Sequence, residues 1–144
     1  MTSQLTKRAL EESFKRQLST KPFSKITIAD IAQDCGISRM TFYYHFKDIY
    51  DLMEWSLEED AKRAIDGCKT VSTWQEGYLS VLDELAQNKQ FINAIYREVS
   101  HERVERFLMP ATRELISGVV NDDPLCERVP ERERTFIADF YAHA

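Results

Sequence analysis

Residues 38–47, SRMTFYYHFK, place an arginine, two tyrosines, a threonine, a histidine and a lysine within ten positions, with no acidic side chain among them. Such a set can hydrogen-bond base edges, cover a thymine methyl and pair with phosphate. A helical wheel decides which of its rings are free to do so. At about 100° per residue from Ser38, Phe42 falls at about 40° and Phe46 at about 80°, so both can face a core. On the same scale Tyr43 lies at about 140°, Met40 at about 200° and Tyr44 at about 240°, on the opposite side. Arg39 and Thr41 flank that outer face, and Lys47 stands just beyond the helix end. Tyrosine and arginine are also common in protein interfaces, so a non-catalytic helical interaction module using Arg39, Tyr43 and Tyr44 is the alternative.

The elements that must hold this helix are legible on either side of it. TIADIAQD predicts a short helix with Thr27 as N-cap and Asp30 completing a capping box, burying Ile28, Ile31 and Ala32. It stops near Cys35 and Gly36, where glycine accepts a left-handed backbone, and Ser38 caps the next helix at once. Two short helices across a turn containing glycine form a helix-turn-helix signal. Ahead of them a helix over about 4–19 carries Leu10, Phe14 and Leu18 as a stripe, with Lys7, Glu11 and Lys15 away from it, and Lys21-Pro22 ends it.

The rest of the chain also reads as helix. A fourth helix is expected from about Lys47 or Asp48 to Asp66, closed by Gly67, and a fifth opens at a Ser72/Gln75 capping box and is interrupted at Asn88. A sixth covers about 90–99 and a seventh about 102–119, with Pro110 expected to bend or divide it. NDDPLCERVP is a loop or short helical turn, and a last helix opens at Pro130. The fold class is all-α: a three-helix helix-turn-helix domain over 1–47, then a helical domain over 48–144, to which the family resemblance given below assigns effector binding and dimerisation.

Composition sets outer bounds. The 144 residues carry a formal net charge of −5. Residues 1–50 hold eight Lys or Arg against five Asp or Glu, a net of +3, whereas 51–144 hold eleven against nineteen, a net of −8. A basic head on an acidic body can bind a polyanion locally, because counterion release depends on the charges that touch phosphate. No apolar run is long enough to span a membrane and no signal peptide is evident, which predicts a cytoplasmic protein without a membrane partner. Cys35, Cys68 and Cys126 are widely spaced, as are the three histidines, so no metal site and no cofactor are expected. Glu98, His101 and Glu102 form a local acid-histidine group, but no nucleophile, phosphate loop or metal-ligand set accompanies them, and an enzyme is not expected.

With these residues in view, ITIADIAQDCGISRMTFYYHFKDIYDL resembles the N-terminal helix-turn-helix domain of the TetR family of bacterial transcriptional regulators, over about residues 4–55. The features that carry the resemblance are Ile28, Ala29, Ile31 and Ala32 in the second helix, Gly36 and Ile37 in the turn, and 41–47 through the third. HFKDIYDLMEW and KPFSKITIADIA are similar to the branch that includes regulators of dihydroxyacetone-kinase operons. The resemblance implies a homodimer on a palindromic double-stranded DNA operator, with a small-molecule effector or protein coregulator acting on the C-terminal domain. It places base-side contacts on Arg39, Met40, Thr41 and Tyr43, and phosphate contacts on Thr27, Tyr44, His45 and Lys47. Ser38 shares the double role of Thr27, as cap and as neighbour of free N–H groups that a phosphate could use. From the residues alone, Arg39 reaches a guanine edge or a phosphate depending on where it points. Trp55, Trp74, Tyr78, Phe91, Tyr96 and Phe107 are candidates to line an effector pocket. Two departures from the family stand out: Ile49 where a phosphate-binding lysine is common, and an end at FYAHA, before the usual final helix is complete.

Overall fold

The computed structural model describes residues 2–144, leaving out the side chains of Thr2 and Phe107. Eight α-helices make up the described chain, with short 3-10 turns at Phe23–Lys25 and Pro124–Cys126 and no strand among the described residues. They are α1 (Thr2–Leu18), α2 (Ile28–Asp34), α3 (Arg39–His45), α4 (Ile49–Ile65), α5 (Trp74–Gln87), α6 (Lys89–Glu98), α7 (His101–Asp122) and α8 (Glu131–His143). Two compact units are formed: residues through Ser56 together with Lys89–Ser100, and Leu57–Asn88 together with His101–Ala144.

The core of the first unit is built from the residues whose period marks them in the sequence. Leu10 and Phe14 of α1, Ile31 of α2, Phe42 of α3 and Leu52 of α4 are fully buried. Phe14 is the hub: it meets Phe23 edge-on at 6.1 Å and Phe91 of α6 edge-on at 6.2 Å. Phe91, Ala94 and Ile95 are the buried residues of α6, so this helix completes the hydrophobic core under the helix-turn-helix.

Glu11 is a correction to the wheel of α1. Expected away from the apolar stripe, it is buried, accepting a 2.6 Å hydrogen bond from Ser56 of α4 and a 3.0 Å bond from Lys15. The cause is tertiary: α4 presents a hydroxyl to a position one residue round from Leu10, and the carboxylate is satisfied there instead of in water. Lys15 extends the group by lying 5.0 Å over the Phe91 ring.

In the second unit, α7 packs against α8 with Ala111 and Ala138 buried. Pro110 neither divides α7 nor ends it, although its ring deprives the Arg106 carbonyl of an intrahelical partner. The segment joining α4 to α5 is held closely: Lys69 pairs with Glu114, and Val71 donates its backbone N–H to Asp122 at 3.0 Å. Gly118 is required there, because a Cβ would sit 2.5 Å from the Lys69 carbonyl oxygen. The expected Ser72/Gln75 box does not form. Helix α5 starts at Trp74, Thr73 at the N-cap makes no side-chain cap bond, and its hydroxyl instead accepts from Thr70 N–H at 3.2 Å and bonds the Thr70 hydroxyl at 2.6 Å. A local turn of hydroxyl groups has taken the side chains that a cap would need.

Candidate nucleic-acid interface

The turn between α2 and α3 is fixed by backbone bonds that only glycine allows without strain. Gly36 has φ 66°, its N–H donates to Gln33, and Ile37 N–H reaches back to the Ala32 carbonyl at 3.0 Å. This is a Schellman closure of α2. Ser38 then caps α3, accepting from Thr41 N–H at 3.1 Å. At the other side of the turn Asp34 accepts from the Ser13 hydroxyl at 2.6 Å and pairs with Arg16, which ties α2 to α1. Those two donors, Ser13 first, hold the Asp34 carboxyl below its ordinary range.

On this mount α3 divides as its wheel requires. Phe42 and Phe46 are buried, with ring centroids 6.0 Å apart. Opposite them Met40 is 81% exposed, Tyr44 83% and Tyr43 48%, while Arg39 and Lys47 are exposed and Thr41 and His45 half-buried. Tyr43 rests edge-on against Phe42 at 5.8 Å, and Tyr44 edge-on against His45 at 5.1 Å. The rings are thus steered without being covered. The Thr41 hydroxyl is already bonded to that of Ser38 at 3.0 Å, so its methyl is the freer surface.

Both helix N-termini beside α3 are internally capped. Thr27 and Asp30 form the full capping box of α2, and Lys21 pairs with Asp30 at 3.0 Å. The Lys21 hydrogen bond first, then Thr27, lowers the Asp30 pKa. At the start of α4, Asp48 accepts from Asp51 N–H at 2.8 Å and Asp51 accepts from Lys47 N–H at 2.9 Å. The Thr27, Lys47 and Asp51 N–H groups thus carry carboxylate partners and the Asp30 N–H the Thr27 hydroxyl, while the Tyr44 and Lys47 side chains stay exposed and His45 half-buried. The D-x-x-D spacing of Asp48 and Asp51 signals this second cap in the sequence; the Ser13–Asp34 bond, spanning 21 residues, has no local signal.

The six aromatic candidates for an effector pocket are distributed over both units. Trp55 packs on Phe46 at 5.7 Å beneath the Lys7 ammonium, and Phe91 is core. Tyr96 is 83% exposed, and Trp74 and Tyr78 are exposed on α5; the Phe107 side chain lies outside the described residues. His101 pairs with Glu105 at 3.6 Å and Glu102 with Arg106 at 3.5 Å, each along its own helix face. Among the described residues no three His, Cys, Asp or Glu side chains gather as a metal-binding group, and no helix is long and apolar enough to cross a membrane. Cys35 donates to the Ala9 carbonyl at 3.3 Å, and burial raises its thiol pKa.

Comparison with known proteins agrees with this geometry. Residues 15–54 match the bacterial regulatory proteins of the tetR family, and residues 72–144 match a transcriptional regulator C-terminal region of the same family. The HTH-type dhaKLM operon transcriptional activator DhaS of Lactococcus lactis subsp. lactis (strain IL1403) is 28% identical over 118 residues, 82% of this chain and 62% of the relative's length. A solved structure of a dihydroxyacetone kinase operon activator DhaS superposes with a TM-score of 0.69 at 26% identity, covering 96% of this chain and 78% of that one.

Proposed function

The chain belongs to the TetR family of bacterial regulatory proteins, and from that premise we propose that it is a sequence-specific DNA-binding regulator acting as a homodimer on a palindromic operator. Residues 1–47 serve as the DNA-binding part and 48–144 as the regulatory and dimerisation part. The single observation that carries the proposal is the division of α3, with Phe42 and Phe46 buried and Met40, Tyr43 and Tyr44 turned out between Arg39 and Lys47. A helix so armed fits the major groove: Arg39, Met40, Thr41 and Tyr43 read bases, while Thr27, Ser38, Tyr44, His45 and Lys47 contact phosphate.

Pairing of two copies is supported by α8, where Phe136 and Phe140 stack at 6.3 Å on an exposed face beside charges of both signs. Two half-sites about 34 Å apart would then receive the two α3 helices. The similar DhaS proteins support an operon for dihydroxyacetone kinase as the target. An effector or partner acting on 48–144 would bias the dimer between DNA-ready and unready states through α4, whose residues run through both compact units. The test is selection of genomic fragments by the purified chain in the presence of excess random DNA. Enrichment of a palindromic fragment is expected; retention of all fragments alike, or of none, would overturn the proposal.

A further inference from the structure

The side chains that α3 can offer to a base are chemically narrow. None of its seven residues, Arg39–His45, is an amide or an acid. An amide is the side chain that grips adenine through N6 and N7, and a carboxylate the one that accepts from cytosine N4. Neighbouring residues do not make up the lack. Gln33 of α2 lines the groove shared with Arg16, Gln17 and Asp30, and Asp48 and Asp51 accept the Asp51 and Lys47 backbone N–H groups at 2.8 and 2.9 Å. Arg39 is left as the charged donor, suited to guanine O6 and N7 or to a phosphate.

The other base-side residues offer mainly carbon. Met40 is 81% exposed, and its thioether has no proton to donate and accepts only weakly. The Thr41 hydroxyl bonds that of Ser38 at 3.0 Å, and the Ser38 oxygen also accepts the Thr41 N–H at 3.1 Å. With its polar end committed to the cap, Thr41 has its methyl to give. Tyr43 is 48% exposed, its ring held edge-on against Phe42 at 5.8 Å. Met40 and Tyr43 lie about 4.5 Å apart along the axis of α3, between one and two base-pair steps of about 3.4 Å. In the major groove the apolar group that tells one base from another is the C5-methyl of thymine. Water held against a thioether and a methyl alike is released when the two meet.

We propose that α3 selects its half-site by the C5-methyl groups of thymine, covered by Met40, the Thr41 methyl and the Tyr43 ring on neighbouring base pairs, with Arg39 as the polar reader. This rests on the assignment of α3 to the major groove and names the DNA chemistry which that assignment leaves open: a half-site rich in thymine, on either strand, where it faces Met40, Thr41 and Tyr43. Specificity is then apolar where affinity is electrostatic, because Lys47 pairs with phosphate whatever the base.

The probe is a random-sequence duplex library, from which the full chain selects binders against excess competitor DNA. The selected duplex is then prepared with thymine or with uracil, which lacks only the methyl and keeps every hydrogen-bonding group, so that the perturbation lies wholly in the DNA. Anisotropy should show binding weakened about fourfold by uracil at one contacted position, the effect of leaving one methyl-sized group uncovered, and about tenfold or more by uracil throughout. Unselected duplex should bind alike in both forms. Met40→Ala with Thr41→Ser retains the hydroxyl that bonds Ser38 and should cut the thymine-to-uracil ratio by about threefold or more, the remainder resting on Tyr43. Lys47→Ala should weaken both duplexes and keep their ratio, which separates lost methyl reading from weak binding in general. Circular dichroism verifies that each variant is folded. Equal affinity for the thymine and uracil duplexes would overturn the proposal and leave the regulator standing. An undiminished ratio in the Met40/Thr41 variant would overturn it too, since the methyls would then act through DNA shape. Failure to enrich any sequence from the library would remove the regulator and this inference together.

Discussion

Replacing Phe42 and Tyr44 by alanine, one at a time, should give opposite phenotypes from positions two residues apart. Phe42 is fully buried, with an edge contact to Tyr43 at 5.8 Å and a tilted contact to Phe46 at 6.0 Å. Its removal leaves a ring-sized void in the first unit, a change that costs about 3–5 kcal/mol. For a unit of this size each kcal/mol lowers the Tm by roughly 4–8 °C, so the drop should exceed about 10 °C. Tyr44 is 83% exposed and its ring meets that of His45 edge-on, and Tyr44→Ala should change stability by no more than about 0.5 kcal/mol. Its loss should appear in DNA affinity instead, as the absence of one rim contact of about 1 kcal/mol, or roughly fivefold. Thermal melts by circular dichroism together with anisotropy on duplex DNA separate the two. If Tyr44→Ala lowers the Tm as much as Phe42→Ala, or Phe42→Ala melts as the parent does, the assignment of inner and outer faces on α3 is wrong.

Other expectations test separate parts of the structure. Lys47→Ala should weaken specific and random DNA alike and reduce the salt slope by about one, whereas Arg39→Ala should relax selectivity; equal losses on all DNA for both would remove Arg39 from base reading. Gly118→Ala drives a Cβ against the Lys69 carbonyl and should cost about 1–3 kcal/mol, read as a lower urea midpoint, with Gly67→Asn a milder change at a position of φ 72°. The Asp34 carboxyl titrates below its ordinary value because of Ser13 and Arg16. Its contribution is therefore present above about pH 4 and lost as pH falls through the lowered value. Asp34→Asn should remove that part of the acid dependence, and an unaltered acid-unfolding curve would show that the ties of Asp34 to α1 are inconsequential.

Most of the interface is readable from short-range pattern because its determinants lie close in sequence. The Thr27/Asp30 box, the Gly36 turn and the Ser38 cap each involve residues within five positions, and the wheel of α3 needs only the helix itself. What escaped is set by distant partners. The wheel places Glu11 outside, but Ser56 arrives from 45 residues away and buries it. The Ser13 and Arg16 bonds to Asp34 span 21 and 18 residues. Ser72 and Gln75 have the spacing of a capping box, yet Thr70 and Thr73 satisfy one another and the helix starts later. Nor does periodicity reveal that α6 belongs to the core around Phe14, since its buried Phe91, Ala94 and Ile95 would suit any apolar neighbour.

Tyr44 and Tyr96 offer the sharpest comparison, because both belong to the first unit and both are 83% exposed, while only Tyr44 lies on α3. With Tyr44→p-benzoylphenylalanine or Tyr96→p-benzoylphenylalanine in otherwise identical protein, irradiation on the selected operator fragment should attach DNA at position 44 and leave position 96 unmodified. Attachment at 96 alone, or at neither position while anisotropy reports the complex formed, would contradict entry of α3 into the groove.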